Sequence, residues 1–470
     1  MKMRPLKRAA TEYCLPVFIT LAIVFGGASH YGQTIHLWVQ LAAVGLLLTF
    51  VRQANHSKWP PSLISLTLLA VMLAVWTVLQ LIPVSDAVWQ SFGDRTLILS
   101  GYQQLGFTTP PDLPVSLAPE KSFAALFGFL PPLAVIVIAS AVGWRMGLSK
   151  LQWLIPMIGA FSALIGLAQI FLGPDSALYF YTHTNRRFPV GVFSNANHQA
   201  TLMLMCLPFV AALAGKLRQQ WLSIDEHMGK AIAIGLLFLL NLVGLLAAGS
   251  VAGYALLIPV LLLSLLLVGN GRKTQSRRVT GGLILVSTLL CAILVALSPN
   301  LDGLGATSFE DHETSRIGIW RVTQSIGKDH GILGVGPGAY EDVYRLYENP
   351  ETVTSRYVNH AHNDYLQVWV EWGIPGLVLV ALALLVWIMA FIRIWTHQPD
   401  KFYRYRRAAS IALFVVIAHS LVDYPARTPA IATLSAACLA IMLLPRRSSQ
   451  EHSSSDHAAR AADAEKRVTL

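Results

Sequence analysis

The sequence predicts an all-α, polytopic integral membrane protein of about twelve transmembrane helices with one large loop on its outer side. Three observations carry that reading. Of 470 residues, 54% are hydrophobic and only 13% are charged, about half the charge of a soluble domain. The apolar residues fall in unbroken runs near the ~20 residues that a helix needs to cross ~30 Å of hydrocarbon. Most of the 35 lysines and arginines lie in alternate loops between those runs, the bias that marks cytoplasmic loops.

The runs occupy about 14–29, 34–51, 61–84, 122–143, 151–172, 199–215, 231–249, 251–269, 279–298, 366–392, 408–422 and 427–444. Each lacks the caps and alternating polar face of a surface helix. Only Gly249 and Ser250 separate the seventh from the eighth, so that pair also reads as one long helix. Pro83, Pro131, Pro132, Pro156, Pro208 and Pro259 lie inside spans or at their ends, where bundle neighbours satisfy the carbonyls they free.

The basic loops carry Lys2, Arg4, Lys7 and Arg8, then Arg52 and Lys58, Arg145 and Lys150, Lys216, Arg218 and Lys230. Further along come Arg272, Lys273, Arg277 and Arg278, then Arg393, Lys401, Arg404, Arg406 and Arg407. Placing them in the cytoplasm puts both termini inside. The net charge of +10 then reflects topology and anionic headgroups, not nucleic acid. The first run reads as a retained helix, not a signal peptide. Cys14, Cys206, Cys291 and Cys438 sit in apolar runs and read as buried core, not a disulfide framework. The chain divides into a bundle of about nine helices (1–298), a large outer loop with short helices (299–365), the last helices (366–445), and a disordered cytoplasmic tail (446–470).

Three outer loops are long enough to carry function: about 85–121, 173–198 and 299–365. In the last, Ser315 to Lys328 reads as an amphipathic helix, with Ile317, Trp320 and Ile326 against the core and Arg316 and Arg321 projecting elsewhere. Guanidinium forks bind oxyanions bidentately and stay charged, so these arginines suit a phosphate; pairing with the loop's ten carboxylates is the plainer reading. The segment GILGVGPGAY (331–340) lacks the Lys-Ser/Thr pair of a nucleotide loop and reads as a tight turn. In NHAHNDYL (359–366), His360 and His362 precede Asn363, Asp364 and Tyr365. Histidine titrates near neutral pH and can take a proton from a hydroxyl, while Asn363 or Asp364 caps the next helix. One HxH with one acid is too little for a metal site, so none is expected. Asn195, Asn197 and His198 lead the sixth run. His419, Asp423 and Arg427 close the eleventh, the first two one turn apart on one helix face, and read as a mutually satisfied structural cluster.

GVFSNANHQA (191–200), SRIGIW (315–320) with GVGPGAY (334–340), HAHNDYLQVWVEWGIPGL (360–377) and HSLVDYPARTPA (419–430) together resemble the O-antigen ligase and O-antigen polymerase family in order, spacing and placement. The resemblance covers about 190–430. It implies a GT-C type fold in the bacterial inner membrane with the active site on the periplasmic side. It also implies transfer of a glycan from undecaprenyl diphosphate to an acceptor hydroxyl, inverting, without metal, nucleotide or other cofactor. The implied partners are that lipid-linked oligosaccharide donor, a lipid A core or glycan acceptor, and membrane lipids, with no nucleic acid. The resemblance makes His362 and Arg316 the catalytic pair. Arg186, Arg187, Arg321, Asn197, His198, His360, Asn363, Asp364 and Tyr365 are the residues expected to bind diphosphate or glycan; Tyr179, Tyr181, Tyr340, Tyr344 and Trp369 face sugar rings or serve the commoner uses of core and interfacial belt. Many relatives carry Ser-Arg where this chain has Ser250 and Val251; Arg186, Arg187 or Arg321 then has to supply that charge. Ligase and polymerase both remain open, and a transporter of lipid-linked sugars is the reading from another class, with a non-enzymatic scaffold as the third. The transporter predicts functional charges at mid-membrane and paired broken helices, whereas the polar residues here gather at one face.

Overall fold

The computed structural model describes residues 5–29, 34–54, 59–107, 111–143, 147–220, 224–269, 316–353, 358–397 and 401–444, with positions 282, 285, 286, 289 and 293 helical. The ninth predicted run, most of the loop before Arg316, Cys291 and the 446–470 tail lie outside the described residues. The other eleven runs are helical. They form α1 (Pro5–Phe25), α2 (Thr34–Phe50), α3 (Pro61–Leu79), α6 (Pro119–Leu126) continuing into α7 (Leu130–Gly143), α8 (Ser149–Leu172), α9 (Ala196–Gln220), α10 (Ile224–Ala247) and α11 (Val251–Val268). After the large loop come α14 (Asp364–Thr396), α15 (Tyr403–His419) and α16 (Pro429–Leu443). Short helices α4 (Asp86–Trp89), α5 (Thr96–Gln104), α12 (Arg316–His330) and α13 (Tyr340–Tyr347) belong to the loops. Among the described residues seven helices are long and apolar enough to cross a membrane, and the protein is an all-α polytopic membrane protein. Its described strand structure is a two-residue antiparallel pair, Pro83–Val84 with Leu113–Pro114.

Between α10 and α11 the chain breaks: Gly249 takes φ +69°, and the Ser250 hydroxyl accepts from Gly253 N to cap α11. The two runs are separate helices. α9 is the central column, packed by α8, α10, α11 and α15. Small residues bring neighbours close, as where Gly159 faces Asn241 and Cys206, and Gly244 faces Ala163 and Met203. At one end of the bundle basic side chains cap helix C-termini. Arg404 donates to Leu267 O and Gly269 O beyond α11, and Arg406 donates to Met442 O and Leu444 O at the end of α16. Carbonyls left over at a C-terminus are natural partners for a cation. The functional loops gather at the opposite end.

The α14 helix is broken where Gly373 adopts φ +66° and Pro375 removes an N–H. The freed carbonyls are taken by other segments. Val335 N donates to Val370 O and Gly336 N to Glu371 O, at 2.8 and 2.9 Å. Gln80 Nε2 also reaches Glu371 O (3.0 Å), and Trp76 Nε1 reaches Trp372 O (2.8 Å). GVGPG is therefore a docking turn, as its composition predicts, and it locks the outer loop onto the kink. Gly334, Gly336 and Gly338 all have φ near +80 to +92°, open to glycine alone without strain.

The outer loop has its own core of Ile319, Ile326, Val335, Tyr340, Val343, Tyr344 and Val370. The α12 helix appears where predicted, but its buried face is Ile319, Thr323, Ile326, Gly327 and His330. Trp320 packs on the main core. Ile317, expected to face inward, is 37% exposed, because the α14 partner Trp369 lies against Gly327 and Gly331 and turns the helix by that face.

Replacing Gly373 with Ala puts a Cβ 2.5 Å from Ile332 O at a backbone angle that L-residues avoid. We expect Gly373→Ala to cost about 2 kcal/mol or more, read as a lowered thermal midpoint in detergent. Gly45→Ala, whose Cβ meets nothing within 4 Å, leaves the midpoint unchanged or raises it slightly.

Candidate functional site

Four structural ends converge at one face: the N-termini of α9, α12 and α14, and the turn after α15. Asn363 caps α14, its Oδ1 accepting from Tyr365 N and Leu366 N, both at 3.0 Å. Its Nδ2 donates to Leu421 O (2.8 Å). Asp364 N donates to Ser420 O and Tyr365 OH to Ile417 O. The HND segment is thereby sewn to the end of α15. Satisfying the cap and that seam forces His362 into the left-handed region at φ +48°, among the described non-glycine residues the one with positive φ. Such strain persists where its surroundings over-determine it, and it clusters at functional sites.

The ring of His362 is directed at Asp423, with Nδ1 3.5 Å from Oδ1. Arg316, the first residue of α12, brings Nη2 to 3.9 Å from the other oxygen, Oδ2. Asp423 is fully buried, while the side chains of His362 and Arg316 keep 24% and 12% of their surface. The carboxylate is a buried anchor, and the Arg316 guanidinium and the His362 ring form the accessible lip. Burial pushes the Asp423 carboxyl up, but the facing His362 ring and the Arg316 guanidinium outweigh that and hold it well below the usual carboxylate range. Tyr424 N donates to Asp423 Oδ1 (2.9 Å).

Tyr424 is the hub of an imidazole cluster. Its ring centroid lies 4.2 Å from that of His360, 4.9 Å from His362 and 5.0 Å from His198. Its hydroxyl accepts from Asn195 Nδ2, and burial pushes that phenol up, so it stays protonated. Behind it, His419 Nδ1 pairs with Thr201 Oγ1 at 2.8 Å.

A second network braces the first. Arg427 donates from Nε to Asp364 Oδ1 (3.0 Å) and from Nη1 to Glu371 Oε2 (2.8 Å). Ser420 Oγ donates to Asp364 Oδ2. Glu371 Oε1 accepts from Gly338 N and Gln367 Nε2, and Gln367 Oε1 accepts from Ala361 N. His360 Nδ1 meets Gln367 Nε2 at 3.1 Å. Burial, reinforced by the Arg427 charge, pushes His360 well below its usual value, so the ring is neutral.

The structure thus brings His362 and Arg316 together and sorts the other expected residues. His198 is fully buried beneath Tyr424, and the polar atoms of Asn363, Asp364 and Tyr365 are engaged inside the protein. Asn197 N donates to Asn195 Oδ1 at the start of α9. Arg186, Arg187 and Arg321 are exposed; Arg186 reaches Pro174 O and lies 5.9 Å over Tyr179. Tyr179, Tyr181, Tyr340 and Tyr344 are buried packing residues, with Tyr181 OH accepting from Gly27 N.

His419, Asp423 and Arg427, expected to satisfy one another, are divided among three partners. α15 ends at His419, which turns Asp423 toward His362 and leaves Arg427 to Asp364 and Glu371. Tyr424, Gln367 and Glu371 are the functional candidates that sequence reasoning missed, and Asp423 was read as structural. The signal for Asp423 was an acid at the end of an apolar run, but its partner lies some sixty residues away.

Residues 236–381 match a family model described as O-antigen ligase, and no curated protein matches the chain. Arg316, His360, His362, Gln367 and Glu371 lie within the matched segment. Asp423 and Tyr424 lie beyond it, so the flanking helices complete the constellation.

A neutral buried histidine destabilises a protein in acid, because the unfolded chain takes up a proton near pH 6.5 that the folded one refuses. We expect stability to fall as pH drops below about 6.5. His360→Phe flattens that dependence by up to ~1.4 kcal/mol per pH unit, read from thermal midpoints between pH 7.5 and 5.

Proposed function

We propose that this chain, whose residues 236–381 match the O-antigen ligase family model, transfers a glycan from undecaprenyl diphosphate to an acceptor hydroxyl at the periplasmic face of the inner membrane. The family supports a ligase- or polymerase-like role in surface polysaccharide assembly. The observation that carries the finer reading is the alignment of His362 and Arg316 on a single buried carboxylate.

In the reacting enzyme Asp423, 3.5 Å from His362 Nδ1, closes to accept that ring proton, which leaves the Nε2 lone pair as the general base. This is the logic by which a buried carboxylate selects the tautomer and steadies the imidazolium that forms. The acceptor hydroxyl gives its proton to Nε2 as its oxygen bonds the anomeric carbon. The carbon–oxygen bond to the diphosphate breaks on the opposite face, and the electron pair leaves with undecaprenyl diphosphate. Single displacement inverts the anomeric centre. The Arg316 guanidinium offsets charge developing on the leaving group, where fixed donors outweigh mobile water.

Val251 opens α11 without the arginine that the family resemblance leads one to expect there. Phe188 packs against Gly249 at that helix start, so the loop bearing Arg186 and Arg187 runs beside it. That contact supports the two exposed arginines as the substitute diphosphate clamp.

Purified protein given labelled undecaprenyl-diphosphate glycan releases undecaprenyl diphosphate. His362→Ala, Arg316→Ala and Asp423→Asn each lower that rate by about 10²–10⁴-fold. Because His362 and Asp423 act as a unit, their double variant is hardly slower than the worse single one. Normal turnover by His362→Ala and Arg316→Ala rejects the assignment. In a deletion strain, loss of all capped lipopolysaccharide marks a ligase, and retention of single-repeat lipopolysaccharide marks a polymerase.

The clamp makes a separate prediction. Arg186→Ala with Arg187→Ala raises KM for the donor about tenfold or more, one to two charge-assisted contacts' worth, while KM for the acceptor holds.

A further inference from the structure

The α9 helix starts beside Tyr424 and carries the chain away from the His362 site. Twenty residues of helix separate His198 from Arg218, a rise of about 30 Å. At that far end a groove of about 390 Å³ lies between α9 and α10, within the ~300–1,000 Å³ of ligand sites. It is lined by Ala214, Leu217 and Arg218 from α9 and by Ala231, Ile234 and Gly235 from α10.

Spacing and side-chain size shape it. On each helix the lining residues fall at i, i+3 and i+4, which is one face. Leu217 and Ile234 are buried and form the floor, while Ala214, Ala231 and Gly235 are too small to fill the space between the walls. A Cβ at Gly235 would meet nothing within 4 Å. Gly235 is exposed, so the groove opens outward there, beside Ile232, Leu236 and Leu239, each more than half exposed. On a membrane-spanning helix such a face meets lipid.

The charge at its outer end has one sign. Arg218 is exposed in the groove wall, and Lys230 is exposed one residue before Ala231. Lys230 and Lys401 lie near enough to Lys216 for their charges to bear on it. Among the described residues none of these four cations has an ion pair, whereas Lys150, at the start of α8, is held by Glu12 at 3.3 Å. The positive bias of loops on one side accounts for basic residues at this end. It does not account for an unfilled apolar groove that runs inward from them.

We propose that this groove is a site for an anionic phospholipid, with one acyl chain along Ala214, Ile234 and Gly235 and the phosphodiester between Arg218 and Lys230. Cationic side chains make charge-assisted hydrogen bonds to phosphate oxygens, and basic pockets between spanning helices hold anionic headgroups. The site is independent of the glycan-transfer reading. It faces the leaflet opposite His362, so the lipid held here is not the glycan donor.

Native mass spectrometry of the full chain in detergent, titrated with phosphatidylglycerol or phosphatidylcholine of identical acyl chains, tests the assignment. We expect phosphatidylglycerol to bind about tenfold more tightly, the order of effect that two cations near an anionic headgroup supply. Arg218→Gln with Lys230→Gln removes that preference. Both changes are at exposed positions, so this arm stands by itself. Gly235→Phe, whose ring enters the groove, loses the tight adduct with all the cations in place. Leu236→Phe, one residue along on the lipid-facing side, keeps it and controls for added bulk on α10. Equal affinity of the wild-type chain for both lipids overturns the proposal. So does an undiminished preference in the double variant or in Gly235→Phe, or a lost one in Leu236→Phe.

Discussion

A carboxylate withdrawn from water at the end of a membrane bundle has to be matched by positive charge, and Asp423 imposes that demand on everything around it. Desolvation of a lone anion costs several kcal/mol, so the fold sets the Arg316 guanidinium against one oxygen and the His362 ring against the other. The two partners come from different segments, the first turn of α12 and the cap of α14. Their meeting fixes how the outer loop sits on the bundle. The pair is also asymmetric in exposure: the acid is sealed and the bases are reachable. An anchor of that kind orients chemistry without taking part in substrate contact.

A second constraint sets the position of His362. Breaking α14 at Gly373 and Pro375 leaves carbonyls that cannot stay unpaired in a protein interior, and GVGPG answers them with its own N–H groups. Glu371, one turn before the break, joins this turn to Arg427, and Arg427 joins Asp364. The Asn363 cap, the kink and the docking turn thus form one hydrogen-bonded chain running from the membrane interior to the strained histidine. Its members are mostly backbone groups and short side chains, which suits rigidity over adaptability. The φ of His362 is the visible residue of that over-determination.

The same network explains why two histidines in one short motif have different natures. His362 keeps exposed surface beside an anion. His360, two residues earlier, is enclosed with Arg427 nearby and is neutral. His362 faces the carboxylate, His360 meets the Gln367 amide, and both rings lie against Tyr424.

Much of this was legible in the residues themselves. Hydropathy located all eleven of the runs that the structure describes, with ends off by up to nine residues, because a helix in lipid must satisfy its backbone internally and so leaves a continuous apolar signature. The Asn363 cap, the GVGPG turn and the pairing of His362 with Arg316 followed from local chemistry or family likeness. What sequence could not order was the sorting of polar side chains: Asp423 to His362 instead of Arg427, Arg427 to Asp364 and Glu371, Ile317 outward, His198 sealed away. Those choices depend on where α15 stops and on which face α12 shows to Trp369. Periodicity and propensity act over a few neighbouring residues, whereas ion pairs are settled by distances between segments far apart in the chain. The residues alone therefore determined an all-α membrane protein with its polar chemistry at one end, and tertiary packing alone decided which carboxylate holds the histidine.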